Sequence, residues 1–246
     1  MESVEIRIDG KVPKNAIILE GFQGVGLVGT LAAQYVADKT NAKLIGYINS
    51  TLLPPMALLI NGELRHPMRV YHFKNKNKDY MIFESELPLP KALVHEMAAK
   101  IAEFAEENEA KEIICLEGLA VPKPPVESNV YGVTNTASKE KDLSKFVKLL
   151  GNGIIIGVSA ALMMEAKIRK ITASCLMAEA NSDFPDGLAA ANIVLKLNSM
   201  YDLKINVGEL QKESKKFEEK LWKVVEKAEA INDMGETETP KKNYIG

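Results

Sequence analysis

Gly21, Gly24, Gly26 and Gly29 crowd a short segment, Glu20-Gly21-Phe22-Gln23-Gly24-Val25-Gly26-Leu27-Val28-Gly29. The apolar run Ala16-Ile17-Ile18-Leu19 before it reads as a buried strand, and Leu31, Tyr35 and Val36 after it recur at helical spacing. Gly24 to Gly29 fits the G-x-G-x-x-G fingerprint, in which free N–H groups at a helix start face a pyrophosphate. That fingerprint also asks for an acid at the end of the next strand to hold the ribose hydroxyls. Here the strand Lys43-Leu44-Ile45-Gly46-Tyr47-Ile48 runs into Asn49-Ser50-Thr51, with neither an acid nor an arginine. Two readings follow. The turn binds a nucleotide or other phosphate ligand, as a binder or an enzyme, or its glycines let helix and sheet backbone approach closely. The missing acid favours close packing.

Other residue types that support chemistry are incompletely assembled. His95-Glu96-Met97-Ala98-Ala99 begins like a zinc-protease helix, but Ala99 stands where the second histidine belongs. His66 precedes a proline and His72 falls in a strand, neither in a metal or nucleophile pattern. Ser159 in Gly157-Val158-Ser159-Ala160-Ala161 follows an apolar run like half a nucleophile elbow, yet no histidine follows it to act as base. Glu84 with Glu86, or Glu179 with Asp183 and Asp186, are paired carboxylates near strand ends. Capping helices and holding loops is their expected role, Asp183 and Asp186 standing just before a helix start. The expectation is no catalytic residue, no metal and no cofactor.

The elements that must position these groups are set by composition and period. With 246 residues, 46% of them hydrophobic, the chain can bury a large core, and its net charge of −2 argues against nucleic acid as a partner. No stretch has the continuous apolar length of a membrane span, and the N-terminus lacks a signal peptide's apolar core. Cys115 and Cys175 sit in apolar strands, as buried, reduced residues of a cytoplasmic protein do.

Strand-like and helix-like runs alternate, the pattern of a sheet covered by helices. Val70–Phe73 and Tyr80–Phe83 read as strands joined by a lysine–asparagine loop, and Leu93 to Ala105 as a helix. Glu112–Leu116, Tyr131–Thr134, Gly153–Val158 and Ile171–Ala178 read as strands. Leu143, Phe146, Val147 and Leu150 suggest one helix, Ala160–Lys167 a short one, and Leu188 to about Met200 another. Leu210, Ser214, Phe217, Leu221, Val224, Ala228 and Ile231 alternate in steps of four and three, a narrow apolar stripe with glutamate and lysine around it. That helix, residues 207–231, packs on its own domain or docks on a second subunit through Leu210, Phe217, Leu221, Val224 and Ile231. The expected organisation is one α/β domain over residues 1–231 and a polar, disordered tail over 232–246.

The glycine turn, Gly118-Leu119-Ala120-Val121-Pro122, Thr134-Asn135-Thr136 and Gly153-Ile154-Ile155-Ile156-Gly157 together resemble the proteasome assembly chaperone family in its archaeal-type form. Gly21-Phe22-Gln23-Gly24-Val25-Gly26 followed by Ile45-Gly46-Tyr47-Ile48 is similar to that family's turn and next strand, and Glu179 to Asp186 to its acidic, proline-containing segment. The resemblance spans about residues 15–230. It implies a three-layer αβα fold similar to purine nucleoside phosphorylases without their activity. It also implies an oligomeric chaperone, homomeric or heteromeric, that binds the α-ring of the proteasome core particle. Relatives insert a C-terminal hydrophobic-tyrosine-any tripeptide between ring subunits. This chain departs from that pattern, carrying Asn243-Tyr244-Ile245-Gly246 with the tyrosine one position early and a polar residue in the hydrophobic slot. The resemblance thus makes Tyr244, Ile245 and Gly246 the candidate partner contacts. If flexible, the stretch from Asn232 to Asn243 gives them a reach of roughly 20 Å.

Overall fold

The computed structural model describes residues 3–121, 129–182 and 184–210. Asp183, the apolar stripe beyond Leu210 and the segment from 232 to 246 lie outside them.

The strands are β1 (Val4–Ile8), β2 (Ile17–Gly21), β3 (Lys43–Ser50), β4 (Leu58–Ile60), β5 (Glu63–Arg65), β6 (Met68–Asn75), β7 (Lys78–Ser85), β8 (Glu112–Ala120), β9 (Val130–Thr134), β10 (Lys148–Leu149) and β11 (Ala173–Ala180). The helices are α1 (Val28–Lys39), α2 (Val94–Glu107), α3 (Ala137–Leu143), α4 (Gly157–Ile168) and α5 (Gly187–Tyr201). Among the described residues, nine strands form one sheet in the order β1-β3-β6-β7-β2-β8-β11-β9-β10, while β4 and β5 make a separate small hairpin. Its centre, β7-β2-β8-β11, is parallel throughout.

Central parallel strands are covered on both faces, so they read as continuous apolar runs. Alternation still sorts their side chains. Ile17, Leu19, Ile114, Leu116, Leu176 and Ala178 face one core with α1 and α5. Ile18, Ile113, Cys115, Cys175 and Met177 face the other with α2 and α4. This is a three-layer αβα sandwich. Helix α1 is buried from Val28 to Ala37, and the Tyr35 hydroxyl donates to the Asn206 carbonyl at 2.7 Å, tying the chain after α5 back onto it.

Two expectations are corrected, and the strand order bears on the glycine turn. The strand after the glycine turn, β3, is not a neighbour of β2: β6 and β7 lie between them, so its end is removed from the turn. The helix expected through Leu150 stops at Leu143. Val147 and Leu143 instead pack on Gly132, where no Cβ would fit, and Lys148–Leu149 adds to the sheet as β10. Gly153 to Ile156 is not a strand either; it is an extended loop outside the sheet that leads into α4. No helix among the described residues is long and apolar enough to cross a membrane.

Candidate functional site

The apolar runs of β2 and β8 both end in Glu-Gly, Glu20-Gly21 and Glu117-Gly118. The strands are parallel neighbours, and both glutamates follow the alternation onto the α2/α4 face. Ser159, in the first turn of α4, meets them there: its Oγ lies 3.0 Å from Glu20 Oε2 and 3.2 Å from Glu117 Oε2. All three are buried.

The glycine turn closes around this group. A single 3-10 turn, Val25–Leu27, precedes α1, with Gly26 at φ 59° and Leu27 at φ 51°. Glu117 Oε1 accepts from the backbone N–H of Val25 at 3.2 Å and of Gly118 at 2.9 Å. An N–H of the turn is therefore already satisfied by the protein's own carboxylate, which a phosphate would have to displace. A Cβ at Gly24 would collide with that carboxylate, and one at Gly118 with the Val25 carbonyl. A Cβ at Gly21 would strike Ala33 and the Gly29 carbonyl, one at Gly26 would lie 2.7 Å from the Asn181 carbonyl oxygen, and one at Gly29 would strike the Leu116 carbonyl. These contacts support the close-packing reading of the glycines.

A cleft of about 380 Å³ opens beside the turn. Ile154, Ile155, Ile156, Leu119 and Met177 line it together with Glu117. Ile154 is 84% exposed and Ile156 67%, whereas Glu117 is 8% exposed.

Burial, followed by the neighbouring Glu20, pushes the Glu117 carboxyl up to about 7. Burial also raises Glu20, against hydrogen bonds from Phe22, Ser159 and Cys115. A serine hydroxyl has one proton, so bonding both carboxyls through Ser159 requires a proton on one of them. A carboxyl whose folded pKa lies above its unfolded value binds more protons when folded, so stability falls as pH rises between the two. The window for Glu117 runs from 4.5 to about 7. Glu117→Gln should flatten that decline and leave the variant more stable than the parent above neutrality, by on the order of 2 kcal/mol. Urea unfolding at several pH values measures it.

The other residues singled out from sequence have local roles. Asp186 caps α5, accepting from Ala189 N at 2.9 Å, and its own N–H donates to the Gly26 carbonyl at 2.8 Å. Glu179 accepts from Asn129 and from the Tyr131 hydroxyl. Glu96 binds Ser3 and Val4 and so holds β1 on α2. His66 stacks on Tyr47, and His72 pairs with Asp79 at 2.7 Å. Among the described residues no group of three or more His, Cys, Asp or Glu could hold a metal ion. Cys115 and Cys175 are free and buried. Glu84 and Glu86 are bound by Arg69, whose Nε and Nη2 lie 2.8 and 2.5 Å from Glu84 Oε1 and whose Nη2 also bonds Glu86. Leu210 is 1% exposed and belongs to the core on the α1/α5 face, which withdraws it from a subunit contact. Phe217, Leu221, Val224, Ile231, Tyr244, Ile245 and Gly246 fall outside the described residues. The pairing of Glu20 with Glu117 is not evident from sequence; the repeated strand-Glu-Gly ending is the signal that marks it.

Residues 18–225 match the sequence model of the PAC2 family. Among solved structures, the chain is similar to Pyrococcus furiosus PbaA, described as an archaeal homolog of proteasome-assembly chaperone. The two are 34% identical with a TM-score of 0.84, over 93% of this chain and 99% of that one. Pyrococcus furiosus PbaB, described as an archaeal proteasome activator, shares the fold at 24% identity and a TM-score of 0.78, covering 91% of this chain and 99% of that one. An uncharacterized protein of Methanocaldococcus jannaschii is 28% identical over 213 residues, 87% of each chain.

Proposed function

The chain belongs to the PAC2 family, and on that premise we propose that it is a non-catalytic, oligomeric assembly chaperone or adaptor of the proteasome, acting in the cytoplasm. The observation that carries this reading is the likeness to PbaA, which runs through nearly the whole of both chains. The geometry at the strand ends agrees with it. The Ser159 hydroxyl is buried between two carboxyls rather than presented to a cleft, and the glycine turn is closed by Glu117.

Partner binding is assigned to the chain beyond the domain. Tyr244, Ile245 and Gly246 engage proteasome α subunits, and Phe217, Leu221, Val224 and Ile231 hold the subunits of the oligomer together. A tyrosine brings a large apolar surface with a polar tip at modest entropic cost. Several such tails on one oligomer add avidity, on the order of 10²–10⁴-fold over a single tail when all can reach.

Native mass spectrometry of the full chain, alone and with proteasome α subunits, tests this. The expected result is an oligomer that adds a defined number of α subunits. The same chain ending at Ile231 should keep its oligomeric state and lose the α subunits. An oligomer that ignores α subunits altogether rejects the proteasome as the partner.

A further inference from the structure

Glu20 and Glu117 make no ion pair with a lysine, arginine or histidine among the described residues, an unusual state for two buried carboxyls. Glu117 is the member that lines the cleft, and once ionised it lacks a full positive charge beside it among the described residues. The N-terminal end of α4, beside Ser159, supplies only a fractional positive charge. The cleft leading to this carboxylate is lined by Ile154, Ile155 and Ile156 and by Met177. Two of the residues lining it, Ile154 and Ile156, are among the most exposed large apolar side chains of the described residues.

An occupant that satisfies all of this has an unbranched apolar stem and a cationic end. We propose that the cleft is a recognition pocket for an alkylammonium group, carried as a lysine side chain by a protein partner. The stem packs on the isoleucines and the ammonium meets Glu117, supplying a countercharge that no described residue provides. Lysine is the side chain whose aliphatic stem lies along apolar surface while its charge finds a polar end. Exposed Ile154 and Ile156 suit a surface that a protein covers better than a solvated small-molecule site. The pocket is lined by residues of the domain and not by those of the tail assigned to α subunits, so it extends the proposed function and does not depend on it.

The groups that face Glu117 set the pH dependence. Glu20 comes from β2, Cys115 from β8, Cys175 from β11, and Ser159, which does not titrate, from α4. Burial pushes both thiols well above their usual range, so they stay neutral. Glu117 is then the group that titrates near neutrality, and ammonium binding should weaken as pH falls below about 7.

The test is an NMR titration of the full chain with Nα-acetyl-lysine methylamide and its uncharged counterpart Nα-acetyl-norleucine methylamide, which is one heavy atom shorter. The lysine compound is expected to bind on the order of tenfold or more tightly at about pH 8, with the preference shrinking at about pH 5.5. In Glu117→Gln, which keeps the side chain's shape, the two should bind alike. Retained norleucine binding in that variant shows that the cleft is intact. Equal binding of both compounds to the parent, or a lysine preference that survives Glu117→Gln, overturns the proposal. Binding of n-pentylammonium without the lysine compound overturns the protein source in favour of a free amine.

Discussion

Arg69→Met is expected to remove about 3–5 kcal/mol of folding stability, the usual cost of breaking one side of a buried ion pair. Arg69, on β6, is 1% exposed and lies between Glu84, at the end of β7, and Glu86 just beyond it, both fully buried. Burial works against the guanidinium's charge, and Glu84 and Glu86 more than offset that, so its pKa is raised. Burial raises the Glu84 carboxyl and Arg69 pulls it back down. Without Arg69 two carboxyls face each other in a dry site, and one must take up a proton. Its folded pKa then lies above the unfolded value, so the deficit grows as pH rises and shrinks below about pH 5. Chemical denaturation of Arg69→Met across pH, alongside Arg69→Met/Glu84→Gln, measures this. The double variant should recover much of the loss at neutral pH, because it leaves a single buried carboxylate. A loss unchanged by Glu84→Gln would place the effect in packing instead of charge.

The second large effect is expected at Gly29. In the first turn of α1, its missing side chain faces the Leu116 carbonyl of β8, and a Cβ would also lie 2.8 Å from the Phe22 carbonyl oxygen. Both obstacles are backbone, fixed by a central strand and by the glycine turn, so neither can swing aside as a flexible side chain would. Gly29→Ala should destabilise by about 3 kcal/mol even though alanine favours the helical conformation by up to about 1 kcal/mol. Gly151→Ala is the control: a Cβ there meets nothing within 4 Å, and the change should stay within about 0.5 kcal/mol. Thermal unfolding of the two variants gives the comparison. A Gly29→Ala protein as stable as the control would mean that helix and sheet can separate without penalty, against the close-packing role of the turn.

Local pattern was enough for the glycine turn between a buried strand and a helix, the Val70–Phe73 and Tyr80–Phe83 hairpin, α2, the Asp186 cap of α5 and a sheet covered by helices. Each of these depends on residues close together in the chain, where a period of two or of 3.6, a capping side chain or a tight turn is enough. The family resemblance added the three-layer arrangement and what the family does, which no local pattern contains. Where sequence reading failed, the local signal was sound and a distant contact overrode it. Leu143 to Leu150 has helical spacing, but Gly132 on β9 accepts Val147 and the chain turns to pair with that strand. Ile154 to Ile156 has the composition of a buried strand, yet it lies outside the sheet and leaves two isoleucines in the open.

Only the tertiary structure decided the strand order, which separates β2 from β3 and removes the nucleotide-fingerprint geometry from the turn. Only it decided that Glu20, Glu117 and Ser159 share one proton-bearing cluster while Arg69 serves a second. A buried carboxyl's partner is set by which strands become neighbours, and that choice is made by packing two whole cores at once rather than by any segment's own period.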